Sequence, residues 1–152
     1  MSASLLLHVL SVVVWVGGMF FAYMALRPVA AAVLEPPLRL TLWAGVFGKF
    51  FPWVWGSVVL ILGSGLYMLI KLGGAAAPHY ALTMLGLGVA MMLIFAHVFF
   101  APYKKLQRAV GQQDWKAGGA ALAQIRKLIG INLSLGLLTI AVVFAGRALT
   151  VG

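Results

Sequence analysis

The sequence predicts an all-α integral membrane protein, an antiparallel bundle of four membrane-spanning helices forming one domain over residues 1–152. Three observations carry that prediction. Of 152 residues, 64% are hydrophobic and only 9% charged, too little charge to cover the surface of a water-soluble domain. Four apolar runs are each long enough to cross a hydrocarbon core, which takes about 20 helical residues. The basic residues collect on alternate connections between those runs. Spans must be helical here, because an open sheet in lipid leaves backbone groups unpaired.

The first span covers residues 4–26 and opens "LLLHVLSVVVWVGGMFF". It lacks a basic leader and is too long for a cleaved signal, so it reads as a retained helix. Next comes a connection over Arg27–Lys49, in which Pro36-Pro37 marks a turn and residues 38–48 an interfacial helix. The second span covers residues 50–70, the short link "KLGGAAAPH" comes after it, and the third covers residues 80–101. Pro102–Lys127 is the most polar stretch, partly helical, with Trp115 among cations that suit anionic headgroups. The fourth span covers residues 128–148.

Nine of the eleven cations (Arg27, Arg39, Lys49, Lys104, Lys105, Arg108, Lys116, Arg126 and Lys127) fall on the first and third connections; Lys71 and Arg147 lie on the other side. By the positive-inside rule the basic connections face inward, to the cytoplasm, and both termini face out. That asymmetry accounts for the formal charge of +9 without nucleic acid as a partner. The partner the composition calls for is the lipid bilayer. There is no cysteine, which excludes disulfides and thiolate metal sites.

Each span carries a stripe of polar and small residues, expected to face the bundle interior. These are His8, Ser11, Trp15, Gly18 and Ala22 on the first; Lys49, Trp53, Gly56, Gly63 and Tyr67 on the second. The third has His79, Thr83, Gly86, Ala90 and His97, and the fourth Asn132, Gly136, Thr139, Val143 and Arg147. His79 and His97 are five turns apart, about 27 Å, so they cannot share a ligand in one protomer. By depth, His8, His79, Lys71 and Arg147 form one polar layer, and His97, Asn132 and Lys49 another. An ionisable group in a span is a functional candidate by default, and His8 stands among purely apolar neighbours. The scattered methionines read as apolar filler.

"LHVLSVVVWVGGMFFAYMALRPVA", "FGKFFPWVWGSVVLILGSGLYM" and "FAHVFFAPYKKLQRAV" together resemble the copper-resistance D (CopD) family in its short four-span form. The most specific feature is a histidine seven residues before Trp-x-Gly-Gly. More distantly the chain is similar to HemJ-type protoporphyrinogen oxidases, four-span proteins thought to bind haem b through histidine. The basic residues those proteins carry in span three are replaced here by Thr83 and Met84, which argues against that oxidation. The resemblance implies a multi-pass protein of the bacterial inner membrane with its termini in the periplasm, and His8, His79 and His97 as ligands of haem b or, as the alternative, of copper.

Under the haem reading Lys49, Lys71 and Arg147 meet the propionates. Trp15, Gly18, Gly86 and Asn132 line the pocket, and an electron-transfer role calls for a redox partner or quinone. Under the copper reading imidazole supplies the donors for binding or transport across the membrane. A third reading makes the chain a non-catalytic membrane subunit or assembly factor whose histidines and glycines only pack, and the small-residue stripes equally suit a homo-oligomer.

Overall fold

The computed structural model describes residues 2–151, nearly all of them helical. In chain order they form α1 (Ser2–Phe21), a π-helical turn (Ala22–Leu26), α2 (Arg27–Val33), α3 (Pro36–Lys71), a 3₁₀ turn (Gly74–Ala76), α4 (His79–Phe100), α5 (Pro102–Gly111) and α6 (Trp115–Val151). α1 runs through the π-turn into α2, so the first crossing is one helical rod, Ser2–Val33. Four rods are long and apolar enough to cross a membrane.

The expected interfacial helix at 38–48 is not a separate element. Those residues are the opening turns of α3, which continues unbroken through Pro52 to Lys71. The reason lies in the register. Leu40, Trp43, Phe47, Phe51, Val54 and Val58 are all buried and succeed one another at three- and four-residue steps. A single apolar stripe therefore crosses the boundary between that segment and the second span, and nothing breaks it; the expected turn lies just ahead, at Leu34 and Glu35. With 36 residues α3 is about 54 Å long against a hydrocarbon core of about 30 Å. The turns that hold Arg39 lie at the basic end of the bundle, with the basic strap α5.

α1 packs chiefly on α3 and α4 chiefly on α6, giving two antiparallel pairs. An aromatic cluster knits the pairs together toward the basic end. Phe51 stacks on Phe47 (4.9 Å between centroids) and meets Phe95 edge-on (5.3 Å), while Trp55 meets Phe95 (4.9 Å) and Trp15 meets Phe95 (6.2 Å). α5 is the amphipathic strap over this cluster. It packs on the start of α6 and on α3, burying Tyr103, Leu106 and Ala109 against a surface that includes Ile125.

The polar stripes divide two against two. Those of the first and fourth spans face inward: Ser11, Trp15, Ala22, Asn132 and Gly136 are buried. Those of the second and third do not. Lys49, Trp53, Gly56, Gly63 and Tyr67 are exposed, as are His79, Thr83, Gly86 and His97. On α3 and α4 Trp43, Phe47, Phe51 and Phe95 take the interior, and the small residues of the stripes look outward. Lipid is as apolar as a helix interface, so contact area rather than polarity decides which face turns in.

Candidate functional site

His8 is the one histidine that the fold takes into a helix interface. It lies on the α1 face that continues into buried Ser11 and Trp15, and it meets α3 at the "GSG" of Gly63–Gly65. Its Nδ1 is 3.1 Å from Ser64 Oγ, and its Cε1 lies 3.3 Å from where a β-carbon on Gly65 would stand. Gly65 thus leaves the space in which the imidazole lies against the α3 backbone.

The Ser64 hydroxyl fixes the chemistry of that imidazole. Its single proton goes to the Leu60 carbonyl one turn back, a common bond for serine in a helix. Ser64 Oγ therefore accepts from His8 Nδ1–H. That selects the tautomer whose Nε2 carries a free lone pair, the form a neutral imidazole uses to hold a metal.

The other candidates are kept apart. His79 is exposed on the first turn of α4, and His97 is exposed near its last. Asn132, expected level with His97, meets α4 at Met91 instead: its Nδ2 donates to the Met91 carbonyl at 3.3 Å, and its Oδ1 is buried without a partner. Lys71 Nζ sits 5.6 Å over the Tyr67 ring, while Lys49 and Arg147 are exposed. Among the described residues, no three His, Asp or Glu side chains converge as a metal cage.

These residues do not fit a haem b. The space beside Gly18 is filled by the Phe50 ring, and Gly86 has open space around it on the outward face of α4. Trp15 packs edge-on against Phe95 rather than walling a slot. The two cavities at the basic end have neither a histidine nor any of Lys49, Lys71 and Arg147 in their walls.

The sequence singles out His8 but not Ser64 or Gly65, which the structure places against it. The available signal was a lone serine between two glycines at the depth of His8 on the neighbouring span.

Four apolar rods in antiparallel pairs, with a basic end and an imidazole held between two of them, define a multi-pass membrane protein. Within that class the chain belongs to the copper resistance protein D family, whose model matches residues 44–145. The match takes in His79 and His97 and leaves out the first span, so it does not speak for His8. No curated protein and no solved structure matches the chain.

Proposed function

We propose that this protein binds copper ions in the bacterial inner membrane as part of copper resistance, with His8 Nε2 as its principal donor. The observation that carries the reading is the contact of His8 Nδ1 with Ser64, whose hydroxyl lies against the Leu60 carbonyl; with Nδ1–H donating to Ser64, Nε2 would keep its lone pair for a metal. Imidazole suits copper, and without cysteine it is the strongest donor this chain owns. Membership of a copper-resistance family supports copper as the cargo.

The positive-inside asymmetry supports a cytoplasmic basic end, which puts His8 close to the periplasmic face. From His8 toward the basic end the buried face of α1 is Ser11, Trp15, Val16 and Met19, with no second imidazole and no carboxylate to continue a path. That favours capture and handover at one face over conduction through the bundle. With one protein donor, the remaining coordination positions belong to whatever delivers or receives the ion.

Copper retained per protein after dialysis of detergent-purified material tests this. His8→Ala is expected to lose the bound copper. Ser64→Ala, which only frees the tautomer and tilt of the ring, should weaken binding by about tenfold or more. His79→Ala and His97→Ala should retain the parental amount. Equal retention by His8→Ala overturns the assignment, and a b-type Soret band in the parent would return haem as the cofactor.

A further inference from the structure

At the basic end three rods enclose a cavity of about 200 Å³ that the copper reading does not use. Arg27, Arg39 and Arg126 share its wall with Leu40, Trp43 and Leu122. The chain has only two carboxylates, Glu35 and Asp114, and neither lines the cavity. Three arginines therefore line one small volume with no acidic side chain among them, a setting that favours an anion.

Their hydrogen bonds leave donors to spare. Arg39 Nη2 donates to the carbonyls of Ala31 (3.1 Å) and Leu34 (3.0 Å), closing the end of α2, while its Nε is buried without a partner. Arg27 uses its Nε on the Tyr23 carbonyl (3.2 Å) and lays its guanidinium 4.5 Å over the Tyr23 ring, keeping its terminal nitrogens free of that bond. The π-turn at Ala22–Leu26 leads into this wall. Its extra residue rotates α2 by about 100° relative to α1, and such turns gather at ligand sites.

Tyr23 also belongs to a second hollow, an apolar groove between the first rod and α6. Phe20, Met24, Ile131 and Leu137 line it, with Lys127 at its basic end. The Tyr23 ring lies against Gly130, 3.0 Å from where a β-carbon would be, so the tyrosine is the shared partition of both spaces. From Lys127 to Leu137 the groove tracks about 15 Å of helix, the depth of one leaflet.

We propose that this paired feature is a specific site for an anionic phospholipid. The phosphate sits among Arg27, Arg39 and Arg126, and one acyl chain descends past Tyr23 along the groove. Guanidinium groups match a phosphate in charge and geometry, and a basic pocket between helices on the cytoplasmic side is where such headgroups bind. A free phosphate would satisfy the arginines and leave the groove unexplained. The site is independent of His8 and of copper.

Native mass spectrometry of the intact protein tests the proposal, with phosphatidylglycerol or phosphatidylcholine added to lipid-stripped material and inorganic phosphate as a separate arm. One tightly held phosphatidylglycerol is expected, with neither phosphatidylcholine nor inorganic phosphate replacing it. Arg39 closes a helix, so the variant is Arg27→Gln with Arg126→Gln, checked for helicity. It should weaken retention by about tenfold or more. Lys104→Gln with Lys105→Gln removes the same charge from exposed positions of α5 and should leave retention intact. Equal loss in both double variants would reduce the effect to general surface charge and overturn the site. Inorganic phosphate binding as well as the lipid would overturn the acyl-chain half and with it the proposal.

Discussion

Phe51→Ala is expected to cost about 3–4 kcal/mol of unfolding free energy. Phe51 is only 2% exposed and stands at the centre of the aromatic cluster. It stacks on Phe47 and meets Phe95 and, at 4.9 Å, Tyr103 edge-on, so it joins α3 to both α4 and the α5 strap. Between helices in lipid there is little gain from hiding apolar surface, since the tails are equally apolar. What holds the two pairs together is contact density, and the hole left by a phenyl ring forfeits it on all sides. Titration with a denaturing detergent, monitored by helicity and tryptophan fluorescence, measures the effect. Trp53→Ala is the control, because that larger ring is 69% exposed on the outward face of α3 and should cost under about 0.5 kcal/mol. If both truncations cost the same, the aromatic cluster is not what couples the pairs.

The number and type of the crossings are legible in the sequence because lipid leaves the backbone no alternative to helix, and four apolar runs announce themselves. Rotation about each axis is not. In water a polar stripe marks the exposed face, whereas in a bilayer glycine, threonine and even interfacial histidine are tolerated on either side. Polarity alone therefore turns the stripes of α3 and α4 inward, although the bulk of Phe47, Phe51, Phe95 and Phe99 claims that side. Pro36-Pro37 does open a helix, yet the continuity of that helix with the second span is hidden by the basic Lys49, which simply projects from the exposed face. His8 is legible as an ionisable group among leucines. Its partner Ser64 is not, since a contact 56 residues away in sequence depends on how α1 and α3 are turned toward each other. The arginine cavity is invisible for a similar reason: Arg27, Arg39 and Arg126 read as topology signals, and only the fold brings them to one volume.

Glycine illustrates the same division and yields the sharpest contrast in stability. Gly146→Val is expected to cost about 2–3 kcal/mol, because a β-carbon there would run into Tyr80, whose Cβ is in direct contact with that position and whose Cγ lies 2.9 Å away. The obstacle is the root of the tyrosine, not a flexible tip, so relief requires α4 and α6 to move apart at the end opposite the cations. Gly136 plays the same part deeper in the bundle, with Met91 Cε and Val16 Cγ2 each 3.1 Å from its missing β-carbon. Gly86 is different: nothing lies within 4 Å, and the residue is exposed on α4 between His79 and His97. Gly86→Val should thus stay within about 0.5 kcal/mol of the parent if that face meets lipid. The same detergent titration, combined with the mass of the protein in micelles, separates the outcomes. A large loss for Gly146→Val with an unchanged Gly86→Val puts the outward face of α4 in lipid. A Gly86→Val variant that is both destabilised and lighter than its parent would mean that a second copy covers the face, bringing the histidines of two protomers together where one protomer keeps them apart.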